Sequence, residues 1–213
     1  MKDEIYLQYG CGFSAPIEWI NFDASPTLRF ERLPVIGKLY SKNESRFPDN
    51  VEYGDIVKGL PVLAGTCSAI YCSHVLEHLS LDDFRLGLIN TYKLLQEGGT
   101  FRLVLPDLEY LVKIYAESPA NDAAMIFMYE CGLGLERRPK GLKAFIVSLL
   151  GNSQHFWMWD YKAIELELLR VGFSSIRRAS FGDSKDNMFQ LVEDEVRWSN
   201  CLGVECRKSE LKI

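Results

Sequence analysis

The sequence predicts a doubly wound α/β fold built on a mostly parallel sheet. Short apolar runs of strand length recur along the chain, helical patterns lie between them, and the order strand, helix, glycine, strand appears twice. At 213 residues, with 47% apolar and 25% charged residues, the chain has the length and composition of one folded core, so a single domain is expected over residues 1–213.

The strands are expected at Ile5 to Tyr9, Trp19 to Phe22, Ala69 to Cys72, Phe101 to Leu105, Phe173 to Ala179 and Cys201 to Cys206, with one more ending at Tyr53-Gly54-Asp55-Ile56. The clearest helix starts at Ser80, with Asp83 three residues on as in a capping box. It carries Leu81, Phe84, Leu88, Tyr92 and Leu95 on one face and is expected to end at Gly98-Gly99. A second helix, Tyr161 to Val171, has Asp160 before it as N-cap and Gly172 after it as a stop. Between the first two strands Pro16 intervenes and Asp23 follows Gly12 closely, so the first crossover is shortened to at most a turn or two of helix. Two stretches break the alternation. Residues 26–50 contain Pro34, Gly37 and Pro48, and residues 108–154 hold helical pieces broken by Pro119, Gly132, Gly134, Pro139 and Gly151. The second is expected as a helical insertion after strand five that caps the substrate.

Bulk properties exclude several classes of function. A net charge of -5 and the lack of a basic stripe give no field for a nucleic acid backbone. The longest apolar stretch, Ala144 to Leu150, is far shorter than the ~20 residues of a membrane span. Met1-Lys2-Asp3-Glu4 leads into a strand without a basic and apolar leader, which predicts a cytoplasmic location. The six cysteines form no C-x-x-C pair, which argues against a zinc centre and a disulfide framework.

The chemistry-bearing residues gather where strands end. Gly10-Cys11-Gly12 follows the first strand, where small residues let the backbone approach a ligand. Read on to Ala15 the run also matches the dinucleotide pattern G-x-G-x-x-A, but the short crossover leaves no full helix behind it. Asp23 at the tip of strand two can accept hydrogen bonds from ribose hydroxyls. Asp55 stands after strand three, and Cys72-Ser-His-Val-Leu-Glu-His-Leu79 after strand four. Successive strand ends carrying small or polar groups form a ligand-binding edge.

On these residues the chain resembles the class I S-adenosylmethionine (SAM) dependent methyltransferases, nearest to the small enzymes of the broad type 11 kind. The matching segments are Leu7-Gln-Tyr-Gly-Cys-Gly12, Trp19-Ile-Asn-Phe-Asp-Ala-Ser-Pro26, Gly54-Asp-Ile56, Cys72 to Leu79, Leu95-Gln-Glu-Gly-Gly99 and Gly172-Phe173. The resemblance implies a Rossmann-like sheet of seven strands whose last, Leu202 to Arg207, is antiparallel. It also implies that Tyr9, Gly10, Cys11 and Gly12 pass under the methionine part of SAM, that Gln8 stands at the cofactor site just before them, and that Asp23 holds the ribose. Ala24 would line the adenosine pocket, Asp55 and Ile56 would meet the adenine, and Ser73 would face the sulfonium. The chain departs from the family at Gln8, where an acid often holds the SAM ammonium, at Ser14, where relatives carry a third glycine, and at Ser68, where an acid is common before strand four.

For catalysis the candidates are His74 and His155, as base or orienting group on the acceptor side, with Asp107 at the tip of strand five. His74 and His78 share a helical spacing that suits two metal ligands, but the sequence shows no third, so no metal is expected and His78 reads as a core or capping histidine. Glu77 reads as a helix-turn stabiliser. Cys72-Ser73-His74 stands where methylases of exocyclic or amide nitrogens carry Asn or Asp before Pro-Pro, so a small-molecule or glycan-like acceptor is expected. Two other readings compete: a SAM-binding regulatory module without turnover, and a nicotinamide-dependent oxidoreductase.

Overall fold

In a computed structural model, which describes residues 4–34, 46–134 and 154–209, seven strands form one sheet: β1 (Ile5–Tyr9), β2 (Ile20–Asp23), β3 (Val51–Tyr53), β4 (Cys67–Ser73), β5 (Leu95–Pro106), β6 (Phe173–Ala179) and β7 (Cys201–Lys208). Their order is β3-β2-β1-β4-β5-β7-β6, with β7 alone antiparallel to its neighbours. This is the doubly wound arrangement, and strand order reverses between β1 and β4, the place where open α/β sheets bind ligands.

Both faces of the sheet are covered, so its central strands are apolar on both sides. In β5, Phe101, Leu103 and Leu105 enter one core with Leu7, Tyr9, Ile70 and Cys72, while Val104 enters the other with Tyr6, Ala69 and Tyr71. The first face is covered by α2 (Leu81–Leu94) and α5 (Tyr161–Val171), after the short α1 (Pro26–Glu31) that follows β2. Ser80 caps α2 as expected: its hydroxyl accepts from the Asp83 amide at 3.3 Å and donates to the Asp83 carboxylate at 2.9 Å. Helix α5 starts on the Asp160 cap and stops at Gly172, which takes the left-handed conformation.

One boundary differs from expectation. Helix α2 stops at Leu94, and the Gly98-Gly99 pair lies inside β5. Leu95 pairs with Cys67, but Thr100 pairs with Ala69, so the register slips across the glycines. A side chain on Gly99 would press on the carbonyls of Gln96 and Cys67, at 2.9 and 3.0 Å. The glycines therefore serve a bulge in the strand rather than the end of the helix.

Residues 10–19 contain no helix, which agrees with a shortened first crossover. The second face is covered instead by residues 180–198, with a 3-10 turn at Asn187–Leu191 and the single-turn α6 (Glu195–Trp198). Arg102, wholly buried in β5, anchors that cover. Its guanidinium pairs with Glu193, with Asp183 at 2.9 Å and with Glu205 at 3.1 Å, donates to the Ser180 carbonyl, and lies over the Trp198 ring. Of the insertion after β5, helices α3 (Leu108–Glu117) and α4 (Ala123–Glu130) are described; Pro139, Gly151 and the Ala144 to Leu150 run lie outside the described residues, as does Gly37. No helix among the described residues is long and apolar enough to cross a membrane. All six cysteines are free, five of them buried.

Two expectations test the anchor. Replacing Arg102 with Leu leaves the Glu193 carboxylate buried without its cation, so stability in urea should fall by about 3 to 5 kcal/mol, and the double variant Arg102→Leu/Glu193→Leu should recover part of the loss. Burial alone would raise the Asp183 pKa, but hydrogen bonds from Arg177, the Ser180 amide and Arg102 outweigh it and hold the group at about 2, below its ordinary 3.8. A depressed pKa stabilises the folded state fully above the unfolded value and loses that effect as pH falls through the folded one. Between pH 3.8 and about 2, Asp183→Asn should therefore lose less further stability than the parent protein.

Candidate functional site

The loop after β1 begins with two glycines whose backbone bends left: Gly10 at φ 68 and Gly12 at φ 56. At Gly10 a Cβ would fall 2.0 Å from Cγ2 of Val75, so only glycine lets the segment after β4 close on this loop. At Gly12 a Cβ would meet nothing within 4 Å, so the backbone faces open space. The Gly12 amide donates to Asp23 Oδ2 at 2.9 Å and the Ser25 amide donates to Oδ1 at 2.7 Å. The carboxylate thus ties the tip of β1 to the tip of β2, and each oxygen keeps acceptor capacity for a further donor. Gly54 donates to the Asp23 carbonyl and brings the tip of β3 to the same edge.

The remaining residues expected to touch the cofactor are placed unequally. The Gln8 amide is buried and donates to the Ser14 carbonyl at 2.7 Å and to Asn21 Oδ1 at 2.6 Å, so its nitrogen braces the loop from beneath. The Tyr9 side chain turns away into the core, its hydroxyl 3.1 Å from that of Thr91, which leaves only its backbone at the edge. Cys11 packs with Leu28, Phe47 and Val51, and burial pushes its thiol pKa up to about 12. Ala24 is half-buried beside Asp23. Asp55 accepts from the Val57 amide at 3.0 Å and pairs with Lys58 at 2.9 Å, whereas the Ile56 side chain is buried in the core.

Beyond Ser73 the chain makes an unusual bend. His74 has φ 53, a conformation that costs a non-glycine residue about 1 to 2 kcal/mol. Such strain collects at functional positions, where the surroundings hold it in place. Its amide donates to the Val104 carbonyl, its Nε2 lies 2.9 Å from the Arg197 carbonyl and 3.7 Å from the Cys201 sulfur, and its Nδ1 lies 3.3 Å from Glu77 Oε1. Burial opposes a charge on this ring, but the contacts with Cys201, Glu77 and the Arg197 carbonyl prevail and raise its pKa to about 10. With both nitrogens engaged, His74 has no free lone pair for a proton in this arrangement.

Arg197 gave no signal in the sequence. It reaches across from α6, donating to the Ser73 hydroxyl at 3.0 Å and to the Ser73 carbonyl at 2.7 Å. Asp107 caps α3 through the Glu109 amide and is bridged to Trp159. Glu77 lies fully buried in the middle of the 3-10 turn Leu76–His78, and its carbonyl accepts from the amides of Phe156 and Trp157. The end of the insertion is thereby pinned to β4, which brings His155 against His78 with ring centroids 4.8 Å apart. The three histidines of the chain surround one carboxyl group.

Strand order, the single antiparallel strand and a glycine loop facing an acid on the next strand define the class I SAM-dependent methyltransferase fold. No family profile matches the chain, and no curated protein matches it in sequence. Solved structures agree with the fold. A SAM-dependent methyltransferase from Archaeoglobus fulgidus superposes with a TM-score of 0.52 at 14% identity, over 96% of this chain and 86% of that one. A possible histamine N-methyltransferase from Thermotoga maritima gives 0.51 at 12% identity, over 98% and 84%. Phosphoethanolamine N-methyltransferase 2 from Haemonchus contortus, bound to phosphomonomethylethanolamine and S-adenosylhomocysteine, gives 0.50 at 12% identity, over 99% of this chain and 50% of that one.

The contact between Gly10 and Val75 can be tested by stability. Gly10→Ala should lower the unfolding midpoint through both the clash and the φ strain, about 1 to 2 kcal/mol from the strain alone. Adding Val75→Ala removes the clash only, so the double variant should recover part of the loss seen by thermal unfolding; no recovery would show that the contact is not the constraint.

Proposed function

We propose that this protein is a SAM-dependent methyltransferase. The observation that carries the reading is the junction at the carboxyl edge, where the Gly12 amide and the Asp23 carboxylate join beside open space, next to the strand-order reversal between β1 and β4. These residues suit SAM. Two left-handed glycines let backbone come close to the methionine portion, and Asp23 has acceptor capacity for two ribose hydroxyls. A nicotinamide dinucleotide is disfavoured on the same ground as before, now in three dimensions: residues 10–19 present no helix N-terminus for a pyrophosphate.

When bound, SAM supplies a methyl group on a sulfonium, a strong electrophile with a good leaving group. The chain then has to position and orient, and to receive a proton if the acceptor carries one. Ser73, locked by Arg197, would border the sulfonium, and His74 would orient groups there rather than act as the base, since both its nitrogens are committed. The cluster around Glu77, a few residues beyond Ser73, would form the acceptor side. Net negative charge and the Cys72-Ser73-His74 tip favour a small-molecule or glycan-like acceptor.

The test is a titration with SAM and S-adenosylhomocysteine by calorimetry and thermal shift. At ligand concentrations 100 times the dissociation constant the fold should gain about 2.7 kcal/mol. Asp23→Ala should weaken binding roughly ten- to a hundredfold. Saturation without heat or shift would remove the reading, and binding without turnover on any acceptor class would leave a regulatory SAM-binding module in its place.

A further inference from the structure

Glu77 is wholly buried, and among the described residues no hydrogen bond to its carboxylate reaches normal geometry, the nearest partner being His74 Nδ1 at 3.3 Å from Oε1. Buried carboxylates elsewhere in the chain are served by donors, as Glu193 and Glu167 are by arginines. One imidazole at that distance leaves most of the acceptor capacity of a buried carboxylate unfilled, and such a group calls for further donors or a cation. The other groups beside the carboxylate are His78, whose Nε2 lies 3.9 Å from Oε1, and His155, which packs against His78.

Those two rings share a hydrogen-bonding pattern. His78 directs Nδ1 to the Gln154 carbonyl at 3.1 Å, and His155 directs Nδ1 to the Cys131 carbonyl at 2.8 Å. A carbonyl oxygen only accepts, so Nδ1 carries the proton in both rings, and in the neutral ring Nε2 carries the lone pair. In His78 that Nε2 lies 3.9 Å from Glu77 Oε1, so the neutral ring would set a lone pair against a carboxylate. A cation between them turns the repulsion into coordination. One donor atom each from Glu77, His78 and His155 lies within 4.8 Å of the others. Anchoring a ligating histidine by its second N–H on a backbone carbonyl is the outer arrangement that metal sites favour.

We propose that Glu77, His78 and His155 bind a divalent first-row cation, with zinc the best match to two imidazoles and one carboxylate. His74 acts from outside the coordination sphere, its Nδ1 beside the ligating carboxylate. Three protein ligands leave coordination positions open. Those positions would take an oxygen donor of the methyl acceptor, a use that rests on the methyltransferase reading, whereas cation binding itself does not. The sequence shows only the His-x-x-Glu-His run; the third ligand lies beyond the insertion.

The experiment is titration of the metal-stripped full chain with Zn2+ by calorimetry, and with Co2+ followed by its visible ligand-field absorption. Binding of about one ion per chain is expected, and Glu77→Gln and His155→Ala should each weaken it roughly 100-fold or more. The His155 ring is half-buried, so His155→Ala remains informative if Glu77→Gln fails to fold; its folding is checked by circular dichroism. Absence of stoichiometric binding, or equal binding by His78→Ala and His155→Ala, as a cysteine site would give, overturns the proposal. S-adenosylhomocysteine is titrated into the same samples. Zn2+ binding without it sinks the methyltransferase reading alone, and its binding without Zn2+ sinks the metal site alone.

Discussion

Glu77 sits where water does not reach, and three separate segments of the chain are arranged around it. Its side chain draws three imidazoles into contact range, while its backbone carbonyl takes the amides of Phe156 and Trp157. The tip of β4 is thereby fastened to the end of the insertion. On the other side His74 meets the Arg197 carbonyl, and Arg197 holds Ser73, which fastens the same tip to the approach of β7. Three distant parts of the chain are joined at one strand end. The strained backbone of His74 is tolerated because the Val104 carbonyl and both ring contacts hold the residue from three directions.

A second constraint follows from the short connection between β1 and β2. Without a crossover helix, the face bearing Tyr6, Tyr71 and Val104 needs another cover, and residues 180–198 supply it. They do so around a charge rather than an apolar seam. Arg102 gathers Asp183, Glu193 and Glu205 beneath Trp198, so the cover is placed by hydrogen-bond geometry as well as by burial. The same cover carries Arg197 to Ser73. The device that compensates for a missing helix on one face therefore also shapes the site at the edge.

Strand positions, helix caps and the short crossover were legible in the sequence because each follows from local chemistry. The period of β1, the Ser80 and Asp160 caps and the Gly172 stop all act within a few residues. The Gly98-Gly99 pair was misread because a helix stop and a strand bulge use the same residues, and only pairing with β4 distinguishes them. Among site residues, Gly12 and Asp23 stand at one edge facing each other, as a ligand-binding edge requires. Tyr9 and Ile56 present only backbone there, because an alternating or apolar position sends the side chain to the core, and a motif does not report which way it points.

What the sequence determined by itself was the α/β class and the glycine and acid signature of the edge, since strand period, capping and loop conformation are set by neighbours in the chain. What only the tertiary structure decided was the company of Glu77. Gln154, next to His155, meets His78 from 76 residues away and Arg197 meets Ser73 from 124, through a long insertion and a cover segment whose paths no local pattern encodes. A buried carboxyl group shows its need for a cation only when the surrounding chain has removed the water, and that condition is a property of the fold.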